Sequence, residues 1–130
     1  MIPVDEVSDS QYGFREKRGT SMACSFYNDV MSYFNFYKSP FFTCSLDAEK
    51  CFDSIWHHAL FYKLCDRIPD AHWATLFNWY SRLQSTVRWN GALSTTFNVT
   101  RGTKQGSILS PSLFNIFIDD LLRYLDASPY

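Results

Sequence analysis

The 130-residue sequence lacks several patterns that define whole classes of protein. It has no apolar run of the roughly 18 residues that a membrane-spanning helix needs. Its first residues carry neither the basic flank nor the apolar block of a secretory signal. The four cysteines include no Cys-x-x-Cys pair, and no histidine pair completes a zinc pattern. The sequence therefore predicts an intracellular protein with free thiols, without a disulfide or membrane partner, and leaves nucleus or cytoplasm open.

Acidic residues are missing from one long stretch of the chain. Residues 71–118 contain no Asp or Glu but four bases, although the net charge of the whole chain is only -1. A basic stretch without acids suits a polyanion such as nucleic acid. Scattered solvated bases on a neutral surface explain the same composition, so both interpretations stay open. The bases are Arg82, Arg88, Arg101 and Lys104.

Composition favours a folded chain. Hydrophobic residues make up 46% of the sequence and aromatic residues 18%, which allows a packed core and argues against disorder. The length fits one domain or a piece of one. Residues 1–10 are polar and acidic, so we expect an unstructured lead-in there and the folded domain over residues 11–130.

Apolar residues recur at helical spacing in four segments, which predicts four helices. The aromatic stripe of the first helix is expected to face the core, and Pro40 prevents that helix from continuing. Asp53 or Ser54 is the expected N-cap of the second helix. The helices are predicted over residues 21–37, from 55 to before 69, from 70 onward, and over 111–125.

Two segments predict strands. Asn90-Gly91 lies between β-forming runs, which is a strong signal for a hairpin because both turn positions need positive φ. The apolar, aromatic run over 41–47 ends at Asp47, which predicts a buried strand with a carboxylate at its C-terminal end. Such a carboxylate is rigid and reaches solvent, as a metal ligand must. The expected fold class is α+β, with helices packed on a small antiparallel sheet.

The carboxylates Asp47, Glu49 and Asp53 invite two metal hypotheses. A calcium loop of the EF-hand type requires glycine at its sixth position, where this sequence has Phe52. A magnesium site fits these residues better than a calcium loop. Asp47 then supplies only half of the site, because a two-metal centre takes carboxylates from more than one strand. Glu49 and Asp53 have simpler explanations as a solvated turn charge and a helix cap.

Three segments together resemble the reverse transcriptases of non-LTR retrotransposons. SLDAEKCFD (45–53) resembles their motif A, and RGTKQGSILSPSLFNIF (101–117) resembles their motif B. QYGFR (11–15) followed by RGT (18–20) is similar to their Gly-Phe-Arg fingers motif. The three segments occur in the order of the family and cover about residues 11–125.

The resemblance implies a catalytic and metal-binding role around motif A. Asp47 is the expected first metal-binding aspartate, with the carbonyl of Ala48 beside it on Mg²⁺ in the intact enzyme. Phe52 is the expected steric gate under the sugar, where an apolar ring leaves neither room nor a partner for a 2′-hydroxyl.

Motif B implies contacts to the nucleotide and the nucleic acid. Gln105 and Gly106 are expected to lie against the incoming nucleotide and the template base, and Gly106 has no Cβ to keep the backbone away. Three bases are expected to contact phosphates, which gives salt-dependent affinity without sequence choice. They are Arg15, Arg18 and Lys104.

Phe117-Ile118-Asp119-Asp120 has the letters of motif C, but the interpretation as motif C is rejected. Motif C belongs at a hairpin turn well downstream of motif B, whereas these residues interrupt a helical stripe without a turn residue nearby. The row of Asn115, Asp119 and Arg123 is expected to form a solvated helix face.

The resemblance implies a partial right-hand polymerase fold, with a piece of the fingers and the first half of the palm but without motif C or thumb. The intact enzyme is expected to be an RNA-directed DNA polymerase that uses an RNA template, a DNA primer and a deoxynucleoside triphosphate. This chain alone is expected to be inactive. The alternatives are a non-catalytic nucleic-acid-binding remnant and an inert retroelement relic.

Overall fold

The computed structural model describes residues 7–129, which contain four helices and four short strands. The chain is therefore α+β. Residues 1–6 of the predicted lead-in lie outside the described residues. No helix in the described part is long and apolar enough to cross a membrane. The elements are α1 (Thr20–Phe36), α2 (His57–Leu64), α3 (Asp70–Ser81), β1 (Gln84–Ser85), β2 (Arg88–Trp89), β3 (Ala92–Leu93), β4 (Phe97–Asn98) and α4 (Ser110–Asp126).

The predicted hairpin is confirmed. Strands β2 and β3 pair antiparallel around Asn90 and Gly91, whose φ angles are 48° and 82°. Strand β1 pairs antiparallel with β4 at the base of the same hairpin. The two ladders are separate two-stranded sheets. The hairpin connects α3 to the segment that leads to α4.

The core lies between helices and does not rest on a sheet. Helix α2 packs against α3 and α4, and every strand residue is exposed. The expectation of helices packed on a small sheet is therefore wrong, because ladders of two residues per strand offer too little apolar surface to cover. The buried apolar residues are Val7, Ile55, Leu60, Phe61, Leu64, Ile68, Leu76, Tyr80, Leu113 and Ile116.

The predicted buried strand over 41–47 is also wrong. Residues 41–48 have no assigned secondary structure, and Phe42 and Leu46 are 90% and 85% exposed. A strand exists only through backbone hydrogen bonds to a neighbour, and none of the described segments pairs with this one. Asp47 therefore lies on an exposed, unpaired segment.

Helix α1 forms close to its predicted bounds but does not join the core. None of its residues is buried, contrary to the expectation for its aromatic stripe. The rings of Tyr27 and Phe34 contact Phe41 at centroid distances of 6.0 and 5.2 Å. These contacts cover only a small part of the stripe, because no other described helix or sheet packs closely against α1.

The segment before the fingers motif docks on α4 through Asp119. This carboxylate is 0% exposed and accepts hydrogen bonds from the Ser8 backbone N–H at 2.7 Å, from Arg67 at 2.8 Å and from Arg123 at 2.7 Å. Val7 and Ser8 are buried, so the lead-in is ordered at these positions. The expectation of a solvated face at Asp119 is wrong, because Ser8 and Arg67 reach this carboxylate from segments far away in the sequence.

The environment of Asp119 controls its protonation. Burial by itself raises the pKa of this carboxyl, but the hydrogen bonds from Ser8, Arg123 and Arg67 outweigh burial and hold the pKa below its ordinary value. Asp119 and Asp120 both lie inside α4, as the rejection of a motif C hairpin requires. Asp119 is therefore a structural anion in the part of the chain described here.

Candidate nucleotide-binding site

The loop of motif B is joined to the end of motif A by its main chain. The N–H of Thr103 donates to the carbonyl of Phe52 at 2.9 Å, and the N–H of Gly102 donates to the carbonyl of Ile55 at 2.8 Å. The Nε2 atom of the buried His57 lies 2.7 Å from the carbonyl oxygen of Gly102. These bonds join the two motifs at one junction.

Glycine is required at position 102 of this junction. Its φ is +85°, in the left-handed region that disfavours residues with a Cβ. A Cβ there would lie 2.9 Å from the carbonyl oxygen of Asp53 and 3.0 Å from its Cα. The close approach of the two backbones therefore depends on the missing side chain.

Asp53 ties the junction together and does not cap α2. The helix begins at His57, with Trp56 at the N-cap and no side-chain capping bond. The Oδ1 atom of Asp53 instead accepts a hydrogen bond from Nε2 of Gln105 at 2.9 Å. The predicted cap is wrong because residues 49–54 form turns before the helix begins.

Three of the sequence-predicted site residues line one pocket of about 390 Å³: Phe52, Gln105 and Gly106. The φ of Gly106 is +79°, and no atom lies within 4 Å of the place a Cβ would occupy. Thr103 also lines the pocket, and its buried Oγ1 has no hydrogen-bond partner in the described structure. The rest of the lining is Ser107, Ile108, Ser110 and Pro111.

An aromatic cluster forms behind the pocket from one residue of each motif. The Phe52 ring lies 4.6 Å from the ring of Phe114 on α4, centroid to centroid. The ring of Phe14, from the fingers motif, meets Phe52 edge-on at 5.9 Å with an interplanar angle of 88°. The three resembling segments are therefore in contact in space as well as in order along the chain.

The predicted metal ligands lie outside this pocket. Asp47 and Ala48 are exposed, and neither is among the pocket-lining residues. Across residues 7–129, no group of three or more His, Cys, Asp or Glu side chains could hold a metal ion. The described residues alone therefore do not fit the two-metal centre that the resemblance implies.

The predicted phosphate-binding bases differ in their availability. Arg18 pairs with Asp9, with Nη2 2.8 Å from Oδ1, and Arg15 donates to the carbonyl of Ser8 at 2.7 Å. Lys104 is exposed, and its ammonium lies 5.9 Å from the ring centroid of Trp79. Only Lys104 is thus directly open to a phosphate in this arrangement.

Two pocket-related residues escape prediction from the sequence. Thr103 carries no local signal, since a threonine in a glycine-containing loop is ordinary. Asn115 is fully buried, accepts from Gln11 at 3.1 Å and donates to the carbonyl of Gly13 at 3.0 Å. The available signal was the row of polar residues at every fourth position of α4, which suits a buried polar seam as well as a solvated face.

Comparison with known proteins points to one family. The family model described as reverse transcriptase (RNA-dependent DNA polymerase) matches residues 1–129. The chain is 33% identical over 115 residues to the putative COX1/OXI3 intron 2 protein of Saccharomyces cerevisiae, a match that covers 88% of the chain and 12% of that protein. No solved structure matches.

The relatives include proteins of Drosophila melanogaster. The probable RNA-directed DNA polymerase from transposon X-element is 33% identical over 76 residues, or 58% of this chain and 8% of that protein. The retrovirus-related Pol polyprotein from type-2 retrotransposable element R2DM is 30% identical over 116 residues, or 88% of this chain and 11% of that protein. The chain spans about a tenth of the length of these curated relatives. It belongs to the reverse transcriptase family, and its relatives include the RNA-directed DNA polymerases of non-LTR retrotransposons.

Proposed function

We propose that this chain is the part of a reverse transcriptase that holds the incoming deoxynucleotide, formed by a piece of the fingers and the first half of the palm. The observation that carries the proposal is the pocket, because it brings together Phe52, Gln105 and Gly106. Its volume of about 390 Å³ is in the range of small-molecule sites.

The lining of the pocket suits a sugar and its phosphates. The ring of Phe52 offers an apolar wall that gives a 2′-hydroxyl no hydrogen-bond partner, and a polar group buried without a partner is costly. The orphaned hydroxyl of Thr103 can donate to a nucleotide oxygen. Gln105 is positioned by its bond to Asp53, so its side chain is oriented before any ligand arrives.

The complete reaction is proposed only for the intact enzyme. It is the attack of a DNA primer 3′-hydroxyl on the α-phosphate of a deoxynucleoside triphosphate, directed by an RNA template, in which the bond from the α-phosphate to the β-phosphate breaks and pyrophosphate leaves. We propose Asp47 and the carbonyl of Ala48 as one side of its magnesium site. The described residues place no cluster of further ligands there, so no catalytic step is assigned to them alone.

Replacement of Thr103 by valine tests the pocket. We expect Thr103→Val to weaken dATP binding about tenfold, the value of one hydrogen bond to a charged ligand. The same change should leave the free energy of unfolding equal or higher, because it removes a buried hydroxyl that lacks a partner. Calorimetric titration with dATP and magnesium ions measures the first quantity, and urea unfolding measures the second.

The control for that experiment is Thr96→Val on the exposed hairpin, which should alter neither quantity. Weaker dATP binding without a lower free energy of unfolding shows that Thr103 contacts the ligand, whereas a defect in the fold would lower both. If dATP does not bind, or binds Thr103→Val as tightly as the wild type, the pocket is not the nucleotide site.

A second candidate function is nucleic-acid binding without chemistry. It is favoured by the exposure of all four bases of the acid-free stretch 71–118, none of which forms a salt bridge among residues 7–129. Lys104 is the base of this set next to the pocket. Arg15 and Arg18 are further proposed phosphate contacts once Ser8 and Asp9 release them.

Salt dependence tests the second candidate. We expect Lys104→Gln to weaken RNA binding and to reduce the slope of log K against log salt by about 0.7–0.9, the value of one phosphate contact. Lys63→Gln is the control, because the ammonium of Lys63 lies 2.7 Å from Asp120 and is already neutralised. Equal slopes for Lys104→Gln and the wild type would exclude Lys104 from the contact.

A further inference from the structure

We propose that Phe14 is a positioning residue for sugar discrimination, which it exerts by fixing the ring of Phe52 from outside the pocket. The proposal rests on the proposed function, because it assumes that a nucleotide sugar lies against Phe52. Phe14 belongs to the fingers motif and is not among the pocket-lining residues, so its influence passes through the neighbouring ring.

The two rings around Phe52 hold it from different directions. Phe114 lies against one face at an interplanar angle of 31°, whereas Phe14 stands edge-on at 88°. The edge-on pairing of Phe14 with Phe52 is a favourable arrangement for two aromatic rings, and the tilted ring of Phe114 lies within the contact range of such pairs. With both neighbours present, rotation of the Phe52 ring must break at least one of these contacts.

Helix α4 provides both supports. It carries Phe114 itself, and the adjacent Asn115 donates through Nδ2 to the carbonyl of Gly13, the residue before Phe14. Gln11 completes the arrangement by donating both to Asn115 Oδ1 at 3.1 Å and to the same Gly13 carbonyl at 3.3 Å. The position of Phe14 is therefore linked to the buried amide of Asn115.

The backbone of Phe14 is strained in a way that such support explains. Its φ is 55°, in the left-handed region that a bulky residue rarely adopts. Strain of this kind persists where surrounding contacts determine the conformation, and it is concentrated at functional sites. The side chain is nevertheless 63% exposed, so burial of its ring does not account for the conformation. The contacts that can support it are the edge-on pairing of its ring with Phe52 and the hydrogen bonds from Asn115 and Gln11 to the preceding Gly13.

A ring with one fixed orientation discriminates better than a mobile one. A 2′-hydroxyl adds a single oxygen to the sugar, and a wall that can rotate makes room for it at little cost. A Phe52 ring that is held by Phe14 and Phe114 cannot rotate to make room for the 2′-hydroxyl. The 2′-hydroxyl of a ribonucleotide therefore clashes with the ring or loses its hydration. We therefore expect Phe14 to affect the ratio of deoxyribonucleotide to ribonucleotide affinity more than the affinity for either.

The test compares dATP with ATP, both with magnesium ions, on the wild-type chain and on Phe14→Ala. We expect the preference for dATP to fall about tenfold in Phe14→Ala, mainly through tighter binding of ATP. Phe14→Tyr, which keeps the ring and can point its hydroxyl to solvent, should restore the preference. Because Phe14 is largely exposed, the midpoint of thermal unfolding should change little.

Phe42→Ala provides the matched control, since Phe42 is 90% exposed and lines no part of the pocket. It should retain the wild-type preference. In the Phe14→Ala background, Asn115→Ala should cause no further loss of preference, because the two residues act through one contact. Absence of dATP binding to the wild type would overturn the proposed function and this proposal together. Wild-type preference retained by Phe14→Ala would overturn this proposal alone.

Discussion

Replacement of Asp119 by alanine is expected to lower the free energy of unfolding by about 3 kcal/mol, at the lower end of the range for a broken buried ion pair. The carboxylate is fully buried, whereas its partners Arg67 and Arg123 keep 21% and 55% of their side chains exposed. Loss of the carboxylate also leaves the buried N–H of Ser8 without an acceptor. Urea unfolding followed by tryptophan fluorescence measures the change.

Asp120 provides the control one residue further along the same helix. Its carboxylate is 58% exposed and lies 2.7 Å from Lys63, whose ammonium also donates to the carbonyl of Phe117. We expect Asp120→Ala to cost less than about 1 kcal/mol, as is usual for exposed pairs. Equal costs at the two positions would show that burial does not distinguish them.

Because the pKa of Asp119 is lowered, its contribution to the free energy of unfolding depends on pH. A carboxyl whose pKa is lower in the folded than in the unfolded state stabilises the fold above its unfolded pKa, near 3.8. That contribution is lost as the pH falls through the folded pKa. The stability difference between the wild type and Asp119→Asn should therefore be constant near neutral pH and shrink below about pH 4. A constant difference down to pH 2 would contradict the depressed pKa.

Replacement of Gly102 by alanine is expected to disrupt the junction between motifs A and B. A left-handed backbone costs a non-glycine residue about 1–2 kcal/mol, and the added Cβ would also lie 2.9 Å from the carbonyl oxygen of Asp53. We expect a total loss of about 3 kcal/mol in the free energy of unfolding, with loss of dATP binding at temperatures where the chain remains folded. Urea unfolding and dATP titration measure the two effects.

A comparison with Gly91 separates the cost of the left-handed backbone from the cost of the close contact with Asp53. Its φ of +82° is close to that of Gly102, but no atom lies within 4 Å of the position of its Cβ. Gly91→Ala should therefore cost only about 1–2 kcal/mol, the conformational part alone, and leave dATP binding intact. If both variants lose the same stability and retain dATP binding, the close approach at Asp53 does not support the pocket.

Features that depend on neighbouring residues could be predicted from the sequence. Asn90-Gly91 determines its hairpin through its own φ preferences, and helices α1, α3 and α4 follow from local periodicity. Three of the residues that line the pocket could be predicted through motifs, because Phe52 and the Gln105-Gly106 pair occur in recognisable surroundings. Each of these signals lies within a few positions of the feature it predicts.

Features that depend on distant partners could not be predicted. Residues 41–47 have the composition of a strand, but a strand requires a neighbouring chain segment that its own residues do not specify. Asp119 is buried because Ser8 and Arg67 reach it from 111 and 52 positions away. The periodicity of α4 cannot distinguish such a buried polar row from a solvated one.

The bond between Asn115 and Gly13 connects residues 102 positions apart and has a consequence for synthesis. A ribosome adds about 5–20 residues per second, so the fingers motif emerges on the order of ten seconds before α4 exists to hold it. Until then the hydrogen bond that supports the strained backbone at Phe14 cannot form. The rings of Phe14 and Phe114 are also not yet in place around Phe52. The proposed nucleotide pocket is therefore complete only once α4 is made, although two rings of its aromatic cluster, Phe14 and Phe52, are made early.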